Sequence, residues 1–276
     1  MRNIITIGLL IGCVLLGKAQ NEASKWLKAV SEQQGIAIEW QERPTSLAKE
    51  GIKSFVGYYK GDFVASLSVG KSVSGGFSYQ GTSYEIADNK GKLVFYKNEE
   101  GICGNQDKES HKHSAHARPV LAAEEAQPKI ANTQVLRVYR LAMHIPYSTF
   151  SRYYFDSKIE KVKTFWADTE AFLNEMYLRD LGVRFEVVND ERLIIKDATK
   201  ETFASTRNAS YVKDNSTIVI NNLIGENSYD VGISLVYTSS QKEAGIRGLA
   251  YLEGVYQPNT KADAVAVLTK EVIAHE

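Results

Sequence analysis

The sequence predicts a mixed α/β (α+β) protein in two parts, a β-rich N-terminal module and a second module in which one long helix backs a sheet. Three observations carry this. Residues 52–97 alternate apolar and polar side chains between glycine-containing turns, the period of two that strands require. Residues 158–180 repeat apolar side chains at three- and four-residue steps, the pattern of a helix with one buried face. Short β-branched runs then return, and strand, helix and further strands in that order build a layered sandwich.

The chain of 276 residues has room for one large or two medium domains with a real core. Its 33 basic residues balance 33 acidic ones, so no net field draws it to nucleic acid or anionic membrane. The start, "MRNIITIGLLIGCVLLGKAQ", has the charged opening, short apolar core and small-residue end of a secretory signal peptide, assigned to 1–19 with cleavage near Ala19. An alternative takes "LIGC" as a lipoprotein signal anchored at Cys13, which leaves only about six apolar residues before the cut against the usual 7–15. On the favoured reading the mature chain is secreted, with no membrane span after signal removal. Cys13 departs with the signal and Cys103 remains alone, either an incidental buried thiol or one kept for a purpose.

Within 21–34, Ala23, Trp26, Leu27 and Val30 share one face of a short amphipathic helix. The stretch 52–97 reads as a β-meander with turns at Gly-Asp, Gly-Gly, Gly-Thr and Asn-Lys-Gly. Together these form a β-rich module over 20–105. Residues 106–133 are polar, aperiodic and carry two prolines, and read as a linker. The second module, 134–276, opens with a strand containing Val135, Val138, Leu141, Met143 and Ile145. The long helix follows, with Ile159, Val162, Phe165, Trp166, Phe172, Leu173, Met176 and Tyr177 on its apolar face and Leu181-Gly182 at its end. "VRFEVV" and "RLIIK" read as two strands joined at "NDE"; "STIVI", "GISLVY", "RGLAYL" and "AVAVL" read as further strands, and a helix begins near Thr269.

His111, His113 and His116 in "HKHSAHARP" are weighed as a metal tract, but their spacings in a polar segment do not build a closed site, and a solvated linker is the better reading. His144, at the end of an apolar strand, reads as a satisfied core residue.

The segment "GLAYLEGVYQPNTKADAVAVLTKEVIAHE", residues 248–276, resembles the approach to the active-site helix of reprolysin-like (adamalysin-type) zinc metalloproteases of the metzincin clan, in its bacterial secreted form. Gly248, Leu249, Ala250 and Tyr251 match the family's first strand, Ala264–Leu268 the second, and Ile273-Ala274-His275-Glu276 the opening of HExxHxxGxxH. "LRVYRLAMHIPYSTFSRYYF", the long helix, "LGVRFEVVNDERLIIKD" and "IGENSYDVGIS" follow the family's order, so the likeness covers roughly 134–276.

The resemblance implies a metzincin-like mixed twisted sheet with a long backing helix, and a secreted zinc endopeptidase acting on peptides or proteins. His275 stands as first zinc ligand, Glu276 as general base, and Gly248–Tyr251 as the edge strand that pairs with substrate. In such a motif two histidines four residues apart reach one ion from one helix face, and the glutamate takes a proton from the metal-bound water. "YEIADNKGKLVFYKNEEGICGN" further resembles the end of a reprolysin propeptide, which implies that Cys103 occupies the metal's open position and keeps the enzyme latent; an incidental thiol is the competing reading. Tyr256 stands where adamalysins carry a cysteine. The second and third histidines of the motif are not present, so the chain reads as truncated inside it. Three expectations follow for residues 20–276: no tight zinc, no peptidase activity, and a fraying helix stub. The competing function is a non-enzymatic exported binding protein or an inactive remnant.

Overall fold

The computed structural model describes residues 22–98, the backbone of Ile102–Cys103, and residues 135–152, 154–204, 206, 208–236, 246–251 and 257–276. Residues 1–19, expected to be a signal peptide, residues 106–133, expected to be a linker and holding His111, His113 and His116, and Tyr256 lie outside the described residues.

Two six-stranded sheets organise these residues. The first is an antiparallel meander in sequence order: β1 (Glu39–Arg43), β2 (Lys53–Tyr59), β3 (Asp62–Val69), β4 (Val73–Tyr79), β5 (Thr82–Asn89) and β6 (Lys92–Lys97). Three of its hairpins turn through two residues of positive φ, Lys60-Gly61, Gln80-Gly81 and Lys90-Gly91. That backbone matches the twist of the strands it joins and favours glycine in the second place.

The expected turn at Gly75-Gly76 does not occur; both residues lie inside β4. A methyl on Gly75 would stand 2.7 Å from the Ser66 carbonyl oxygen, so β4 and β3 approach too closely there for a side chain.

The two faces of the meander differ. One is apolar and lies under the first helix, α1 (22–34), whose Ala23, Trp26 and Val30 meet Phe55, Leu67, Val73 and Ile86. The other carries Ser54, Ser66, Ser68 and Ser74, all buried, and lies against the long helix of the second module.

The second sheet runs β7 (Ile102–Cys103), β11 (Ile246–Ala250), β12 (Ala264–Ala266), β10 (Val231–Leu235), β8 (Arg137–His144), β9 (Val183–Val187). Strands β9, β8, β10 and β12 are parallel, β11 is antiparallel to β12, and β7 runs parallel to β11. After a short α2 (Tyr147–Phe150), α3 (Ile159–Leu181) packs Phe165, Trp166 and Phe172 into one core with Leu141, Met143, Ile233 and Leu235, and Gly182 in the left-handed region ends it. On the opposite face lies α4 (Ala209–Ile224), with Val212 against Val236 and Val265. The layers are therefore α1, meander, α3, mixed sheet, α4, the mixed α+β architecture expected.

Two strand assignments are corrected. "STIVI" belongs to α4: Asn208 caps that helix by accepting the Tyr211 N–H at 3.0 Å, and Val212, Ser216, Ile220 and Ile224 recur every four residues on its buried side. "RLIIK" forms a 3-10 turn, Glu191–Leu193, and a single bridge from Ile194 to Ile145.

His144 is buried as expected, with Ser234 Oγ 3.2 Å from Nδ1 and Thr202 Oγ1 3.3 Å from Nε2. No helix among the described residues is long and apolar enough to cross a membrane.

Candidate active site

The site is assembled where the final helix, α5 (Lys270–His275), meets the β11 side of the mixed sheet. Arg247 and Tyr251 bond to the segment carrying β12: the Val267 N–H donates to the Arg247 carbonyl at 3.0 Å and the Tyr251 N–H to the Asp263 carbonyl at 2.9 Å. Gly248 and Ala250 alternate with these and turn to the other edge, where Gly248 stands opposite Cys103 of β7. The strand expected to be a sheet edge is therefore flanked on its outer side by the chain's own short strand.

The four expected β11 residues divide by direction. Leu249 packs toward α4 and Ala250 toward the main core. Tyr251, 53% exposed, lies at the strand end with Lys213 Nζ 5.7 Å from its ring.

His275 is exposed at the end of α5, and Glu276 follows it. Glu276 folds over Gly248 so closely that a Cβ on the glycine would stand 2.6 Å from Glu276 Cγ. Cys103 (through its backbone), Gly248 and Glu276 thus meet at one place, and His275 is the adjoining residue. The Cys103 side chain lies outside what is described.

The expectation that this short helix frays for want of a packing face is corrected. Ile273 and Ala274 are buried, and the Tyr177 hydroxyl donates to the Ala274 carbonyl. At its other end Lys270 is 1% exposed, with Nζ 2.9 Å from Asp168 Oδ2 of α3, donating to the Gly75 carbonyl at 2.9 Å, and paired with Glu85 of β5. The Asp168 contact is ionic without hydrogen-bond alignment, since neither Asp168 oxygen nor Ser66 Oγ has a well-formed hydrogen bond among the described residues. Burial pushes the Glu85 carboxyl up to about 7, with Lys270 opposing the rise, and burial likewise raises Asp168.

Sequence reasoning missed this cluster. Its members are 83 and 102 residues apart along the chain, and a lysine at the start of a helix ordinarily points to solvent.

A catalytic zinc takes three protein ligands. Among the described residues no three His, Cys, Asp or Glu side chains gather as a metal site, so His275 and its surroundings do not by themselves fit the ion.

Residues 166–276 match the metallo-peptidase family M12B, reprolysin-like, from within α3 to the His-Glu pair. Among curated proteins, none matches the chain. Over residues 166–276 the chain is thus similar to the reprolysin-like metallopeptidases of family M12B.

Proposed function

We propose that the chain is the precursor portion of a secreted zinc metalloendopeptidase, in which His275 is the first metal ligand and Glu276 the general base. The remaining ligands are assigned to residues outside those described. The observation that carries this reading is the lie of Glu276 across Gly248, which sets a carboxylate beside the β11 edge that could receive an extended peptide. An extended chain added there would gain main-chain hydrogen bonds from Gly248, so peptides or proteins are the proposed substrates.

The N-terminal module is assigned as the propeptide and Cys103 as its latency residue. Support comes from β7, which occupies part of the edge a substrate would need. A peptide running beside β11 must displace Ile102–Cys103, so the precursor competes with its own substrate.

The test is peptide cleavage by the product of the complete reading frame. We expect chelator-sensitive cleavage once the N-terminal module is removed, and a loss of at least a hundredfold with Glu276→Ala, the order expected for a general base. Cys103→Ala should give cleavage in the uncut precursor. Absence of cleavage under every condition would leave a binding protein as the surviving reading, and unchanged cleavage with Glu276→Ala would move the active site elsewhere.

A further inference from the structure

We propose that the N-terminal meander holds the helix carrying His275 and Glu276 in place, gripping Lys270 between Glu85 of the meander and Asp168 of α3. Calling α5 the active-site helix rests on the function proposed above; the grip itself does not.

A helix of six residues cannot sustain itself, because the cost of nucleation exceeds what so few internal hydrogen bonds return. Its first N–H groups also need acceptors from outside the helix. Thr269 stands at the N-cap position but caps nothing, and its hydroxyl instead accepts from Arg247 at 2.7 Å. The acceptor comes from the other module: the Lys270 N–H donates to Glu85 Oε1 at 2.9 Å, across 185 residues of chain. Glu85 Oε2 then pairs with the ammonium of the same lysine. One carboxylate fixes both the backbone start and the side chain of α5.

A second contact repeats the arrangement one residue on. Ser83 of β5 donates to Glu271 Oε1 at 2.7 Å, and Asn98 Nδ2 lies 3.4 Å from Glu271 Oε2.

The meander is shaped for the lysine. Ser66, Gly76 and Glu85 stand directly opposite one another across β3, β4 and β5, forming one row on the face turned to α3. A methyl on Gly76 would touch Lys270 Cδ and Nζ at 3.6 Å, so the bare backbone there forms the wall of the lysine's slot. A buried ammonium is tolerated only with partners around it. With the meander absent, Lys270 keeps Asp168 but loses Glu85 and the Gly75 carbonyl. The meander therefore acts on the site by positioning its helix as well as by lying beside it, and Glu85, Asp168 and Lys270 are positioning residues.

Hydrogen exchange of the full chain, resolved by segment, tests this without metal or activity. Glu85→Ala should speed exchange in 269–276 at least tenfold while 209–224 and 231–236 change less than twofold. Glu85→Gln, which keeps one oxygen for the Lys270 N–H but loses the partner of its ammonium, should restore part of the protection. Unchanged exchange in 269–276 would overturn the proposal, as would an equal rise in all three segments. Should Glu85→Ala fail to fold, Ser83→Ala removes the donor to Glu271 and the acceptor of Asn98 Nδ2 while leaving Glu85 in place. It should speed 269–276 alone, by two- to fivefold, and no change there would also overturn the proposal. The grip and the metallopeptidase reading fail separately, because no arm of this experiment measures catalysis.

Discussion

Gly248 and Glu276 occupy each other's space. The glycine has an ordinary strand conformation, so its lack of a side chain is explained by the neighbour: Glu276 Cγ and Cδ lie 2.6 and 2.8 Å from where a Cβ would stand. Gly248→Ala must push the glutamate aside. The end of a glutamate swings away cheaply, so the stability loss should stay below about 1 kcal/mol. The carboxylate's position should not survive, however, and if the proposed peptidase activity holds, cleavage should fall about 10- to 100-fold, or about 1.4–2.7 kcal/mol of barrier. Urea unfolding and peptide kinetics on the same variant separate the two effects, and full activity would show that Glu276 does not work from this place. His275 and Glu276 drew notice in the sequence only through the resemblance of the segment that leads up to them, and their roles stand as proposals. Glu85, Asp168 and Lys270 were not, because an ion cluster drawn from three distant segments leaves no spacing to read.

Elements were legible where one physical signal stood alone. The meander announced itself through alternation and glycine-containing turns, and α3 through its periodic apolar face and closing Gly182. Helix α4 was hidden because "STIVI" is β-branched, and β-branching favours strands only where no packing overrides it. The decisive residues lie upstream and downstream: Asn208 caps the helix and Ile224 completes its buried stripe, leaving Ile218 59% exposed on the outer side. Strand β1 escaped notice because four of its five residues are polar or charged, and Trp40 alone packs toward the meander's core while pairing with β2 supplies the rest. The Gly75-Gly76 pair was misread for a related cause, since two glycines signal a turn unless a close approach of neighbouring strands demands them.

At the scale of the whole molecule the two modules share one core. Leu47, Ile52 and Ala87 of the N-terminal part cluster with Phe165, Trp166 and Leu141 of the second, and α3 carries carboxylates satisfied from across the boundary. Glu170 accepts from Ser46 and Thr45, and Glu175 pairs with Arg43 at 3.0 Å. The joint should be sensitive to pH. Burial raises Glu85 from 4.5 to about 7, with Lys270, Asp168, Glu271 and Tyr154 facing it. A carboxyl with a raised folded pKa contributes stability that is fully present below about 4.5 and lost as pH rises through about 7. His144 acts oppositely: burial pushes it down to about 3, so its contribution grows as pH rises toward 6.5. The difference between wild type and Glu85→Gln cancels the histidine. It should move against wild type by up to about 3 kcal/mol between pH 4.5 and 7, read by denaturant unfolding, whereas a flat difference would show that Glu85 does not titrate there. The proposed role of His275 as a zinc ligand is read from the metal content of the protein. The full-length protein, with His111, His113 and His116 changed to alanine to remove chelation by that segment, should carry one zinc per chain. Adding His275→Ala should abolish that stoichiometric zinc. Zinc retained after His275→Ala, or absent before it, would show that His275 is not a zinc ligand.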